Sequence, residues 1–172
     1  MNTLFIYLAN LNFIQQVVLL CIRVRLFLDR FWGLLRFKAL VPNSGNGSFY
    51  NSDIQVKYGK NIKVGNSVKI GGGCTLGAMS SIVIKDNVTI SKNVTIETAG
   101  LDMNTTIPYD HKAKPILIED GVWIASNVII LGGVTVGSNS IIGAGVILTK
   151  NVKANSIIVG QENRILDKET RK

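Results

Sequence analysis

Aliphatic residues recur every six positions through most of this chain. They stand at Val64, Ile70, Leu76, Ile82, Val88 and Val94, and again at Ile118, Ile124, Ile130, Val136, Ile142 and Leu148. The two runs read as one phase, because the step from Val94 to Ile118 is a multiple of six. A helix repeats every ~3.6 residues and a strand every ~2, so neither produces this beat. A sustained short-period repeat marks a β-helix, whose turns stack and bury one continuous interior. The predicted fold is therefore all-β, with three hexads, about 18 residues, closing each turn of a triangular solenoid.

The finer grammar agrees. The residue after the aliphatic is often small, as at Gly65, Gly71, Gly77, Ala125, Gly137 and Gly143, which suits a tight corner. A second apolar residue stands two places earlier, at Ile62, Val68, Ile116, Val122, Val128, Val134 and Val146, and faces the same way by strand alternation. Asn66, Asn87, Asn93, Asn127 and Asn139 mark corners where a positive φ is expected.

The length of 172 residues suits one domain with an appendage. Cys21 and Cys74 are too few for a disulfide framework, and Cys74 falls in the repeat as a small core residue. The net charge of +8 suits anionic partners such as phosphates, acidic glycans or a lipid surface. No recognition-helix pattern, zinc finger or RNA-binding aromatic motif accompanies it, so nucleic acid is not an expected partner.

Residues 1–42 stand apart. The apolar stretch from Leu4 to Ile22 is interrupted by Asn10, Asn12, Gln15 and Gln16, which makes a full membrane span costly. A cationic, aromatic segment follows, with Arg23, Arg25, Arg30, Arg36 and Lys38 among Phe27, Phe31, Trp32 and Phe37. Such a segment suits a helix lying in a membrane interface, and equally a helical cap packed on the β-domain or a neighbouring subunit. The positive charge follows the apolar run, unlike a cleavable signal, so a cytoplasmic location, at the inner face of the membrane if the segment binds there, is expected. Residues 43–51 read as a turn-rich linker. A charged tail occupies residues 167–172.

The beat fails between about Thr98 and Pro115. A solenoid that extrudes a long loop at one coil is usually building a site there. The loop contains the single histidine of the chain, His111.

The segment Lys114-Pro115-Ile116-Leu117-Ile118-Glu119-Asp120-Gly121-Val122-Trp123-Ile124-Ala125-Ser126 resembles the most recognisable stretch of a known family. So do Gly133-Val134-Thr135-Val136-Gly137 and Ile142-Gly143-Ala144-Gly145-Val146-Ile147-Leu148-Thr149-Lys150. The family is the left-handed β-helix (hexapeptide-repeat) acyltransferases, and the similar branch holds galactoside and maltose acetyltransferases and the O-acetyltransferases of capsule, colanic acid and lipopolysaccharide synthesis. The similarity covers roughly residues 52–166. It implies a left-handed parallel β-helix, a homotrimer with active sites between adjacent subunits, acetyl-CoA along the outer wall and a carbohydrate acceptor, with no metal. A loop histidine would take the acceptor's hydroxyl proton, and a backbone N–H near the Ser of a Trp-Ile-Gly-Ser motif would stabilise the oxyanion.

Carried over by position, that motif reads Trp123, Ile124, Ala125 and Ser126, which makes Ser126 the candidate oxyanion position. Trp123, Ala125, Ser126 and Ala144 would meet the donor's pantetheine, Thr149 and Lys150 its phosphates, and Arg164 its adenine end. Asp102, Asn104 and Tyr109 of the loop are candidate acceptor-binding groups. The chain departs from the family in two places. The position of the galactoside branch's histidine, after Ala99-Gly100, is Leu101. His111 is then the candidate base, with Asp110 or Asp102 to orient it, much as an Asp–His pair stands in serine acetyltransferases. The family's prolines near the donor corner are absent, since Val-Pro-Pro reads Val152-Lys153-Ala154 and Gly-x-Pro-Ala reads Gly160-Gln161-Glu162-Asn163. The expected activity is acetyl-CoA-dependent O-acetylation of a sugar hydroxyl in a surface polysaccharide or its precursor. The alternatives are N-acylation of a nucleotide-linked amino sugar, and a degenerate trimeric scaffold.

Overall fold

The computed structural model describes residues 2–160 of the chain, so Arg164, the charged tail and the end of the expected domain lie outside the described residues. Strands of two or three residues alternate with short corners, and each strand pairs in parallel with its counterpart in the next coil. Three sheets result. The first face stacks Asn43–Ser44, Ile62–Val64, Ile82–Ile84, Ile116–Ile118 and Thr135–Val136. The second stacks Phe49–Tyr50, Lys69–Ile70, Thr89–Ile90, Trp123–Ile124, Ile141–Ile142 and Ile157–Ile158. The third stacks Gln55–Lys57, Thr75–Gly77, Thr95–Glu97, Ile129–Leu131 and Ile147–Leu148. The anticipated left-handed parallel β-helix, of about 6 turns, is the architecture formed.

The interior is a column of aliphatics. Ile70, Ile90, Ile124 and Ile142 stack on the inner side of the second face, and Leu76, Ile96 and Ile130 on the third, all at 0–1% exposure. Cys74 is buried among them, as the repeat predicts. Parallel pairing buries one side of every strand and stacks like upon like, so among the described residues the core is aliphatic but for Phe37, Tyr50, Cys74 and the small polar Thr98 and Ser140.

The turn length differs from the expectation. From Ile118, Ile124 and Ile130 onward, residues pair eighteen positions on, with Val136, Ile142 and Leu148. In the earlier coils the step is twenty: Ile62 pairs with Ile82, Ile70 with Ile90 and Leu76 with Ile96. Two extra residues sit at the corner between the third and first faces, where one coil makes a 3-10 turn at Gly59–Asn61. Ile82, Val88 and Val94 are therefore counterparts of Ile62, Val68 and Cys74, not of Val64, Ile70 and Leu76. Both positions of each strand point inward and are apolar, so the six-residue beat survives the slip.

Close approach at the corners explains the small residues. A Cβ on Gly65 would lie 2.8 Å from the Lys85 carbonyl carbon, and one on Gly137 would lie 2.4 Å from the Ala154 nitrogen. Asn87, Asn93, Asn127 and Asn139 take positive φ as expected. Asn66 does not, and its neighbour Ser67 does, at 56°. The Asn66 side chain instead accepts the Asn46 N–H at 3.0 Å, bracing one coil on the next.

Residues 43–51 are not a linker. Asn43–Ser44 and Phe49–Tyr50 already pair with Lys63–Val64 and Lys69–Ile70, so the first coil begins there. Tyr50 stands where later coils have Ile70 and Ile90, fully buried.

The N-terminal segment is one helix, α1 (Asn2–Leu40), with Pro42 two residues past its end. Only its last turns touch the solenoid. Phe37 stacks on Tyr50 with ring centroids 3.8 Å apart and planes at 17°. Gly33 passes so close that a Cβ would stand 2.2 Å from the Tyr50 carbonyl oxygen. The Arg36 guanidinium donates to the Ser52 carbonyl, and the Ser52 hydroxyl donates to Asp29 at 3.1 Å. From Leu11 to Leu28 the helix is exposed and rests on nothing among the described residues. A cap packed on the chain's own β-domain is thus confined to the final turns.

Candidate functional site

The interruption at 98–115 is an antiparallel hairpin, Ala99–Leu101 against His111–Ala113. It leaves the corner between the third and first faces, the same corner that accommodates the extra residues of earlier coils. Its root is pinned: Thr98 is buried, its hydroxyl donates to the Gly77 carbonyl at 2.9 Å, and Lys114 N–H donates to the Thr98 carbonyl at 3.0 Å. The register sets Leu101 directly opposite His111. Directly opposed residues in an antiparallel pair project from the same side of the ribbon, with Cβ atoms roughly 5 Å apart. His111 therefore shares its side of the hairpin with Leu101, the position at which the family resemblance leads one to expect a histidine. Its side chain is exposed.

Neither aspartate holds the imidazole. Asp102 Oδ1 accepts from Lys112 Nζ at 3.1 Å and from the Asn104 backbone and side-chain amides at 3.2 and 3.1 Å. Asp110 contributes its backbone, accepting from Asp102 N–H at 2.7 Å and donating to Thr105 Oγ1 at 2.9 Å. Asp102, Asn104 and Asp110 thus shape the loop tip, and Tyr109 is half-buried beside them. Lys112 was not singled out from the sequence. Its pairing with Asp102 follows from the hairpin register, which alternation did not announce.

The Asn104 amide, and then the Lys112 ammonium, hold the Asp102 carboxyl below its ordinary pKa. A carboxyl depressed in the folded state stabilises the fold above its unfolded pKa, and that contribution is lost as pH falls through the folded value. Acidification through the depressed Asp102 range is expected to loosen the hairpin before the solenoid. Amide exchange at residues 99–113 should rise there first, and Asp102→Asn should remove that pH dependence.

The wall residues cluster at a different corner, between the second and third faces. Trp123 lies on the outer side of the second face, about half exposed, between Thr89 and Ile141 of adjacent coils. Ala125 and Ser126 turn the corner, with Gly143, Ala144 and Gly145 in the next coil. Ala125 N–H donates to the Ile142 carbonyl, Asn127 N–H to Lys92 and Gly145 N–H to Ser126, at 2.9–3.1 Å. Between these bonded neighbours, the N–H groups of Ser126 and Ala144 have no acceptor among the described residues. The corner between the first and second faces differs. There Asn46, Asn66 and Asp86 N–H each donate to an Asn or Asp side chain of the following coil, and Ser138 N–H to Glu119, at 2.7–3.0 Å. Side-chain oxygens cap most coils at this corner. At the wall corner, where Gly73 N–H is the one that donates to a carboxylate, Asp53, the donors at Ser126 and Ala144 are free among the described residues to meet a ligand carbonyl or oxyanion.

Below this corner a surface recess of about 660 Å³ opens between Ala144–Leu148 and Ile158–Gly160. Thr149 and Lys150 follow it directly, both exposed. A single chain thus gathers Trp123, Ala125, Ser126 and Ala144 at one corner and roots His111 at another. Among the described residues no hydrogen bond or ion pair links the two groups.

The family model for the bacterial transferase hexapeptide (six repeats) matches residues 115–150, which span the wall corner. No curated protein sequence matches the chain. Among solved structures, a hexapeptide-repeat-containing acetyltransferase from Vibrio cholerae O1 biovar eltor, complexed with acetyl-CoA, is 28% identical with a TM-score of 0.69, over 76% of this chain and 73% of that one. A maltose O-acetyltransferase from Clostridium difficile 630 is 34% identical with a TM-score of 0.63, over 72% of this chain and 67% of that one. A galactoside acetyltransferase in complex with coenzyme A is 32% identical with a TM-score of 0.68, over 70% of this chain and 62% of that one. The hexapeptide family match and the likeness to solved hexapeptide-repeat and maltose O-acetyltransferases agree, and the chain belongs to the hexapeptide-repeat acetyltransferases.

Proposed function

We propose that this acyltransferase moves the acetyl group of acetyl-CoA to a sugar hydroxyl, with His111 as general base and the Ser126 N–H as oxyanion donor. The observation that carries the reading is the Leu101–His111 pairing across the hairpin. His111 faces across the hairpin the position where the family resemblance leads one to expect a histidine, and it stands on the same side of the ribbon. The maltose O-acetyltransferase and galactoside acetyltransferase likenesses support a saccharide acceptor and an ester product.

A sugar hydroxyl is a weak nucleophile at neutral pH. His111 takes its proton as the oxygen attacks the thioester carbonyl carbon, a contribution of about 10²–10⁴-fold. The negative charge that develops on the carbonyl oxygen is received by the open Ser126 N–H, worth on the order of 10²-fold or more. The intermediate collapses by breaking the carbon–sulfur bond, and the imidazolium returns the proton to the departing CoA thiolate. The acetyl ester and free CoA balance the reaction. Ala144, small and with its own open N–H, suits a pantetheine amide passing the next coil, and Lys150 suits a phosphate. Because hairpin and wall occupy different corners, we assign the complete site to the junction of two copies in a homotrimer. Asp102, Asn104 and Tyr109 remain the proposed acceptor side of that junction.

The test is acetyl transfer by the purified chain to a panel of mono- and oligosaccharides, with the product bond identified by NMR. An O-acetyl ester with stoichiometric CoA release is expected. An amide product from amino sugars alone would overturn the hydroxyl acceptor, and CoA release without any acetylated sugar would overturn the saccharide.

A further inference from the structure

The helix α1 is apolar, long enough by length and composition to cross a membrane, and exposed at every residue from Leu11 to Trp32. Apolar residues occur all round it, Leu19, Ile22 and Leu26 included, but its charges and amides are confined to one side. At 100° per residue, Ile14, Val17, Val24, Leu28, Phe31 and Leu35 fall within one arc of roughly 100°, joined by Trp32. Between residues 11 and 37 no charged or amide side chain enters that arc. The amides Asn12, Gln15 and Gln16, the acid Asp29 and the cations Arg23, Arg25, Arg30 and Arg36 all occupy the remainder.

The solenoid attaches on that polar side. Arg30 lies over the Phe49 ring at 5.5 Å, and Gly33 and Phe37 meet Tyr50. The apolar arc consequently points away from the β-domain, with Leu28 and Trp32 at 56% and 65% exposure. We infer that α1 lies in the plane of an anionic lipid surface, apolar arc down, with the solenoid seated on its upper side. Three features favour this occupant. The segment from Arg23 to Lys38 sets five cations against one acid, matching acidic headgroups. Phe27, Phe31 and Trp32 are side chains that settle at the headgroup boundary. One edge of the apolar arc continues through Leu20 and Phe27, and the other meets the cations Arg25 and Arg36, placed where they can reach lipid phosphates beside the buried face. A span is disfavoured because it would bury Asn12, Gln15 and Gln16 in hydrocarbon. The inference is independent of the transfer chemistry, since docking needs no turnover.

The experiment is flotation of the full chain with phosphatidylcholine vesicles, with and without phosphatidylglycerol, using Leu28→Glu and Leu26→Glu. The two substitutions add the same charge to equally exposed leucines, one inside the arc and one outside it. Binding is expected only to phosphatidylglycerol-containing vesicles, weakened at least ~10-fold by Leu28→Glu and less than ~2-fold by Leu26→Glu. Circular dichroism confirms that both variants fold. Equal loss in both variants, with resistance to alkaline carbonate, would replace the in-plane helix with a span. Absence of vesicle binding, with Leu28→Glu altering the oligomeric state, would assign the arc to a second copy.

Discussion

Alanine at position 111 is expected to lower acetyl transfer by about 10²-fold or more, with acetyl-CoA affinity and thermal stability nearly unchanged. The reasoning is structural at each step. His111 contributes only backbone to the hairpin, through its pairing with Leu101, and alanine retains that pairing. Its imidazole is exposed and makes no hydrogen bond among the described residues, so truncation leaves no buried group there unsatisfied. The corner of Ser126 and Ala144, the proposed donor side, is formed by residues of other coils and is untouched. A loss confined to turnover, seen by titrating acetyl-CoA calorimetrically beside steady-state kinetics, is what removal of a base produces. Parallel losses in donor affinity would instead give His111 a binding role.

The second large effect is expected at Gly132, far from any reacting atom in sequence terms. A Cβ there would stand 2.4 Å from the Thr98 carbonyl oxygen and 3.2 Å from that of Lys114. Those two residues are the legs of the hairpin root, joined by the Lys114-to-Thr98 hydrogen bond. Gly132→Ala must therefore push the root outward, at a cost of roughly 1–3 kcal/mol from overpacking against backbone. A displacement near 1 Å at a base costs up to about 10²-fold in rate. The expected result is a lowered melting temperature together with a turnover loss close to that of His111→Ala. Gly100→Ala is the control: its nearest neighbour would be 4.0 Å away, so it should behave as wild type. Faster amide exchange at 99–113 in the Gly132 variant alone would locate the disturbance.

The solenoid was legible because parallel stacking repeats one inward pattern in every coil. The same redundancy hid the two-residue slip, since Ile82 and Ile84 both point inward and either continues the beat. The first coil was read as a linker because Ser44 and Tyr50 stand in the places of aliphatics, and a buried tyrosine carries no hexad signal. The hairpin was legible only as an interruption. Ala99-Gly100-Leu101 and His111-Lys112-Ala113 lack alternation, and nine residues separate them where a tight turn would need about two. The wall residues were recognisable by resemblance, yet the property that suits them to a donor is backbone. Whether the Ser126 and Ala144 N–H groups are open depends on what the next coil offers, and side-chain identity at those positions does not reveal it. The expected aspartate behind His111 failed for a related reason, because Asp102 had a nearer cation in Lys112.

The most direct measurement compares acetyl transfer to the best saccharide acceptor by wild type, by His111→Leu and by the exchange variant Leu101→His/His111→Leu, under single-turnover conditions. The account predicts transfer by wild type, a loss of about 10²-fold or more in His111→Leu, and substantial recovery in the exchange variant, because the imidazole returns to the same side of the hairpin. Equal rates in wild type and His111→Leu would contradict it, and so would a wild type that binds no acetyl-CoA.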